Sequence, residues 1–472
     1  MAHETAGNRE AYLVRRCASR TLLTLLLAVA GCGGGGGGPE GGGAPSLASA
    51  RTLAYVVTQC REDVARRSFQ QELRIREGDR APVTVAAATD GIVQEPPVLP
   101  GWCRLFGTSR IGSSSVTAGA FQRLGVSPDG SGVVFEKTTR FSIAIGRLAL
   151  APDDEGFFFV HADGSGLRRL GPASREKYDN TTPLSFSADG RTVAFADVGP
   201  GPAGEDAAQV VTLDVATGKR FQVTHLPPAT PVDLSRVDIH TVRFLPDGRI
   251  TFGTSGNLGY TVRPDGTDLT PEPLPVVLPG GRIDPTFHIT GDLVTAVNLD
   301  LSASVSEVFL LDHTNLLQLT NFHRFDTLRG TVDVDGQRVF LIAAANPPEL
   351  GGSNPSANCQ IFSIDTQGTD LRQLTHFSQG GHSAFGCGTF GGLPPGCVVE
   401  APRQEPTTRV LVFPSSCDPL EGANPNGEQV FAMYPDGTGL QQLTNTSGFT
   451  TEADGTVDVE LPGPFASTAV RR

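Results

Sequence analysis

The chain has 472 residues and sets 50 acidic against 37 basic side chains, a net charge of −13. A surface of that sign repels phosphate backbones, so nucleic acid is not an expected partner. Hydrophobic residues make up 39 %, enough to bury a core, and the charges are scattered as on a soluble surface.

At the N-terminus Arg15, Arg16 and Arg20 precede an apolar run, Leu22 to Ala30. A run of about nine residues is far short of the roughly 20 that span a bilayer as a helix. It ends in Val29-Ala30-Gly31-Cys32, small residues of the kind a signal peptidase cuts beside. This tetrapeptide resembles the lipobox of bacterial lipoproteins. The resemblance implies loss of residues 1–31 and lipidation of Cys32. Several acyl chains on one residue anchor durably, where a single chain is marginal. Gly33 in the next place resembles the outer-membrane sorting pattern. The expected location is therefore a bacterial cell envelope, lipid-anchored on the periplasmic or cell-surface side, with the outer membrane favoured where there are two. Gly33 to Gly38, then Pro39-Glu40 and Gly41 to Gly43, have nothing to pack. Residues 32–50 read as the lipidated cysteine and a flexible tether, and residues 51–466 as the folded domain.

Eight cysteines are present. Cys17 leaves with the signal and Cys32 would be lipidated. Cys60, Cys103, Cys359, Cys387, Cys397 and Cys417 remain as candidate disulfide cysteines in an oxidising compartment. Cys60 with Cys103, and the other four among themselves, is the favoured grouping. No Cys-x-x-Cys pair points to zinc.

From residue 53 onward one phrase recurs. Its first half is a β-rich run, an Asp-Gly turn and a second run ending in Phe. It stands at Ser127-Pro128-Asp129-Gly130, at Ser187-Ala188-Asp189-Gly190 and at Leu245-Pro246-Asp247-Gly248. Its second half is Asp-Gly followed by a Leu or Leu-Thr ending, as at Asp163-Gly164 to Leu170 and Asp436-Gly437 to Leu443-Thr444. Asp-Gly between apolar runs is the strongest local hairpin signal, because both turn residues tolerate positive φ. Repeats of this length mean an array of supersecondary units. The fold expected is all-β, a β-propeller of four-stranded blades. Seven units are counted, with six or eight compatible. Leu53 to Val57, Leu73 to Arg76 and Pro82 to Val85 supply three strands of an N-terminal unit that lacks its first. A C-terminal strand near Thr456 to Leu461 would complete it and close the ring.

The stretches Phe186 to Phe195 and Asp436 to Thr444 resemble the WD-like propeller repeat of the TolB family. That resemblance implies a propeller and leaves function open, since one fold hosts many activities.

Motifs for chemistry are sparse. There is no Gly-x-Ser-x-Gly nucleophile elbow, Gly253-Thr254-Ser255-Gly256 being the nearest, and no His-Glu-x-x-His. Asp333-Val334-Asp335-Gly336 falls where other units turn. His225 and His376 follow Val-Thr and Leu-Thr at one repeat position, which marks a strand-end fixture. His240, His288 and Asp326 fall where first strands begin, the region that lines a propeller channel, and are the candidate channel ligands. No catalytic residue, cofactor or metal is assigned. The expected function is a non-catalytic scaffold, a monomer that binds an envelope protein or polysaccharide through its long loops. The alternative is a propeller lyase or hydrolase with a metal or ligand in the central channel.

Overall fold

Runs of β-branched and aromatic residues, cut by glycine turns, pair as antiparallel hairpins from one end of the domain to the other. The computed structural model describes residues 52–62, 67–89, 92–93, 120–138, 141–142, 146–148, 154–175, 184–228, 239–254, 258–273, 283–287, 293–300, 305–312, 315–322, 329–332, 336–355, 358–377, 399, 402–405, 409–415, 417, 420 and 429–468. The signal and tether read over 1–50 lie outside them. So does most of the insertion that holds Trp102.

Among the described residues, six four-stranded sheets follow one another as blades 1 to 6, over 121–171, 185–222, 239–273, 283–318, 329–373 and 403–442. Each runs in chain order from first strand to fourth. A further sheet of five strands joins the two ends of the domain. Its order is Val83–Thr89, Arg67–Glu77, Thr52–Glu62, Val457–Thr468, Gly448–Thr451. The fold is a β-propeller, and the ring is closed by the C-terminus as the sequence suggests. The C-terminus differs in one respect: it contributes two strands, not one. They form a hairpin about Asp454-Gly455, one more copy of the repeated phrase. A small sheet of Ile92–Val93, Gly146–Leu148 and Phe141–Ser142 ties the insertion to a loop of blade 1.

The central strand of the closing sheet shows why Leu53-Ala54-Tyr55-Val56-Val57 is apolar throughout. Side chains alternate faces along a strand. Leu53, Tyr55 and Val57 pack on Val410, Val412, Val430 and Ala432 of blade 6. Ala54 and Val56, with Leu73 and Ile75, pack on Phe121, Leu124 and Phe135 of blade 1. A strand covered on both faces needs no polar side, and its sequence has none. Pro462 stands opposite Val57 where the register shifts, so the missing N–H falls at a bulge.

The Asp-Gly turns use that tolerance at one residue only. Only the glycine takes positive φ: 73° at Gly130, 71° at Gly190 and 84° at Gly248. Gly130 N donates to Ser127 O at 2.8 Å and Ser127 N to Gly132 O at 2.8 Å. Ser127 and Gly132 thus enclose a four-residue loop, and Leu245 N, which donates to Arg249 O at 2.7 Å, closes a three-residue one; neither is a two-residue turn. The aspartate serves through its carboxylate. Asp129 Oδ1 accepts the Ser131 N–H at 3.0 Å and the Ser127 hydroxyl at 2.6 Å. Asp163, Asp265 and Asp436 accept the N–H two residues on, each at 2.9 Å. Hydrogen bonds from Ser165, Thr267 and Thr438 hold these three carboxyls below the usual aspartate range.

The two parts of the second half also meet between blades. The glycine of a third-to-fourth-strand turn sits on the strand end of the preceding blade. A Cβ on Gly266 of blade 3 would lie 2.8 Å from Val223 O of blade 2, and one on Gly437 of blade 6 would lie 2.7 Å from Leu374 O of blade 5. Gly437 also has φ 86°. Gly437→Ala is therefore expected to cost at least about 1–2 kcal/mol from the left-handed backbone, with the clash added. Urea unfolding checks this, with Gly455→Ala as the comparison: Gly455 has the same φ of 86° and open space around it.

Candidate functional site

The Val-Thr and Leu-Thr endings carry a polar lock inside blades 2, 4, 5 and 6. Thr224 Oγ1 accepts the Val210 N–H at 2.9 Å and donates to Gln209 Oε1 at 2.9 Å. Gln209 then exchanges two hydrogen bonds with the Leu226 backbone, both at 2.8 Å. The same lock joins Thr375 to Gln360 and Thr444 to Gln429, and in blade 4 Glu307 replaces the glutamine opposite Thr320. All eight side chains are buried. A buried polar group needs such a partner, which explains the threonine. The third-strand Gln/Glu was not singled out in the sequence. The signal was there, as Gln209-Val210, Glu307-Val308, Gln360-Ile361 and Gln429-Val430. His225 and His376 sit just beyond, with Nδ1 at 3.0 and 3.2 Å from the Nε2 of Gln222 and Gln373. They are exposed strand-end fixtures.

His240 lies on the first strand of blade 3, Ile239–Phe244, with its backbone paired to Gly253. Its side chain is outside the described residues, as are His288, Asp326 and Cys32. The channel candidates therefore fall outside the described side chains. Among the described residues no three His, Cys, Asp or Glu converge as metal ligands. Cys60, Cys359 and Cys417 are buried, at 1, 3 and 1 % exposure. Cys103, Cys387 and Cys397 lie outside the described residues. Of the long loops, 346–355 is described. It folds on itself around Asn354, whose Nδ2 donates to Ala345 O at 2.8 Å and to Asn358 O at 2.7 Å. That loop is a packed element rather than a loose arm.

A concave site lies at the ring closure. A cleft of about 690 Å³ opens between the closing sheet and blade 6. Tyr55, Arg74, Arg76, Asp79, Arg80 and Ala81 line one side, and Gln442, Leu443, Thr444 and Asn445 the other. At the junctions of blades 2 with 3 and 5 with 6, a turn glycine presses onto the preceding strand end. Here an arginine side chain bridges the gap. Arg76 Nη1 donates to Leu443 O, while its Nε donates to Gly78 O at 2.9 Å. Beneath it, Arg74 Nη2 stands 2.9 Å from Glu72 Oε2 and 3.2 Å from Glu460 Oε1. Partial burial works against the Arg74 charge, but Glu72 and Glu460 outweigh it and hold the guanidinium above its usual range. Burial also works to raise the Glu460 carboxyl, and the Ser447 N–H with Arg74 more than offsets it, leaving it lowered. Burial pushes the Tyr55 phenol up against the pull of Arg74 and Arg76.

Arg74 and Arg76 thus build the floor. Arg80 is the accessible cation, 74 % exposed and 2.7 Å from Glu77. With Asn445 and the apolar Ala81, Pro82 and Leu443, it offers donors over a small apolar bed, the mixture that orients a polar ligand. These arginines were read in the sequence only as strand residues. Their signal is the alternation Glu72-Leu73-Arg74-Ile75-Arg76, which puts charge on one face of a strand whose other face is core.

The likeness to solved structures is to β-propellers. Prolyl endopeptidases described for the role of inter-domain dynamics in catalysis and specificity are 11 % identical, covering 89 % of this chain and 54 % of theirs, with a TM-score of 0.45. An oligogalacturonate lyase from Vibrio parahaemolyticus is 8 % identical, covering 79 % and 90 %, with a TM-score of 0.42. A putative TolB from Agrobacterium tumefaciens is 11 % identical, covering 87 % and 99 %, with a TM-score of 0.32. This chain spans about half the length of the endopeptidase, and at these identities the likeness goes no further than the fold. No family profile matches the chain, and no curated protein matches it.

Proposed function

We propose that this protein is a membrane-anchored propeller of a bacterial envelope that binds a protein or polysaccharide partner without transforming it. The observation that carries the reading is the cleft at the ring closure. It is about 690 Å³ in volume, is lined by Tyr55, Arg76, Arg80 and Asn445, and has a floor of satisfied ion pairs. Such a floor is rigid, so little ordering is lost when a partner docks. The Val29-Ala30-Gly31-Cys32 stretch and the glycine-rich segment after it support a lipid anchor at Cys32 and a tether that holds the domain off the membrane. Burial of Cys60, Cys359 and Cys417 supports disulfides that include them.

One experiment tests anchor and cleft together. A photoreactive amino acid is placed at Ala81, and separately at Gly204 as a control, in cells carrying the wild-type chain or Cys32→Ala. Position 81 should yield a discrete protein or glycan adduct in the membrane fraction, and position 204 none. Cys32→Ala should move the chain to the soluble fraction. Equal labelling at the two positions would remove the cleft from the reading. A Cys32→Ala chain that stays with membranes would remove the anchor.

A further inference from the structure

The first strands of neighbouring blades meet at the inner edge of the ring. Leu184 N donates to Leu124 O at 2.8 Å between blades 2 and 1, and Phe244 N to Ser185 Oγ at 2.8 Å between blades 3 and 2. Two of these strands carry an arginine set among neighbours, and the register treats them oppositely. In blade 1, Arg123 stands across from Glu136 and pairs with it at 3.2 Å. In blade 3, Arg243 stands across from Thr251, which offers no charge. The Nε and Nη2 of Arg243 are buried and donate no hydrogen bond among the described residues.

A buried charge without a partner is among the costliest features a fold can hold, and most groups escape it by neutralising. Arginine does not. Burial depresses the Arg243 guanidinium to about 10, which leaves it protonated at neutral pH. The two idle donors are also specific. Nε–H and the adjacent Nη2–H point in parallel from one edge of the guanidinium plane, the edge that grips two oxygens of one oxyanion. The residue as a whole is only partly buried, while its Nε and Nη2 are enclosed.

We propose that Arg243 anchors an anion site at the inner edge of blade 3, taking a carboxylate or phosphate through its Nε and Nη2 edge. The site is distinct from the cleft at the ring closure and stands without it. It lies three residues beyond His240, on the same channel-side strand. Thr251 lies directly across from it and is buried, so the cation has no competing carboxylate there.

The test uses the full processed chain at neutral pH and constant ionic strength, with chloride replaced stepwise by acetate or by inorganic phosphate. A ligand that binds only the folded state raises the melting temperature. Acetate, phosphate or both should raise it for the wild type, and Arg243→Met should lose the response. Arg243→Lys keeps the charge without the fork and should bind roughly tenfold more weakly by calorimetry. A response to acetate alone identifies a carboxylate ligand, and one to phosphate alone a phosphorylated ligand. A wild type indifferent to both anions overturns the site, as does an Arg243→Met chain that responds like wild type. If Arg243→Met does not fold, broadening of acetate carbon or phosphate phosphorus resonances by the wild-type protein decides, and absence of broadening overturns it.

Discussion

Glu136→Leu is expected to destabilise the protein by about 3–5 kcal/mol, because it removes the enclosed carboxylate that faces the Arg123 guanidinium inside the interface of blades 1 and 2. The pair is fully enclosed, with 1 % of the Arg123 side chain and none of Glu136 exposed. Glu136 accepts on both oxygens, from Arg123 Nη1 at 3.2 Å and from Ser174 N at 2.6 Å. Arg123 Nη1 also donates to Ser174 Oγ at 2.9 Å, and its guanidinium lies 5.5 Å from the Phe195 ring of blade 2. Next to it Arg220 pairs with Asp197 at 2.8 Å and covers Phe157 and Phe195. Arg123→Met should be as damaging as Glu136→Leu. The double variant should recover part of the loss, since two matched hydrophobic residues replace an ion pair at little cost. Recovery should be incomplete by about 1–3 kcal/mol, because the Ser174 N–H loses its acceptor. Denaturant midpoints for the four chains measure this cycle. Additive effects of the two substitutions would mean that the pair does not act as a unit.

The second large effect is at the closure. A chain ending at residue 446 lacks both C-terminal strands. It leaves Thr52–Glu62 with an open edge along the ten residue pairs it makes with Val457–Thr468. An uncovered edge of a buried, apolar strand is a template for pairing with another chain. The truncated protein is expected to lose cooperative unfolding and to elute as aggregate, while a chain ending at 468 remains monomeric and melts as the full chain does. A monomeric chain ending at 446 with unchanged melting would mean that the ends do not hold the ring.

Much of this architecture was legible because propellers repeat. The Asp-Gly and Leu-Thr phrases located the blades, and Leu53 to Val57 was legible as a strand of the N-terminal unit. The phrase left the turn type open, because Asp-Gly also suits a turn in which the aspartate keeps ordinary φ and works through its carboxylate. The second C-terminal strand was missed because Gly448–Thr451 is short and its Asp454-Gly455 turn went uncounted. The cleft was hidden for a different reason. Arg76 and Leu443 are joined only by ring closure, and neither residue is unusual in its own repeat. Arg243 was hidden for the same reason as Glu136: what separates a paired arginine from an unpaired one is the residue across the strand, which register alone reveals.

Hydrogen exchange of the backbone amides in Thr52–Glu62 tests the closure most directly, in the intact chain. If both ends build one sheet, these amides open only when the whole ring opens, and their protection should match that of the blade 2 strand Thr192–Pro200. Rapid exchange in Thr52–Glu62 while Thr192–Pro200 stays protected would contradict a ring sealed by its two ends.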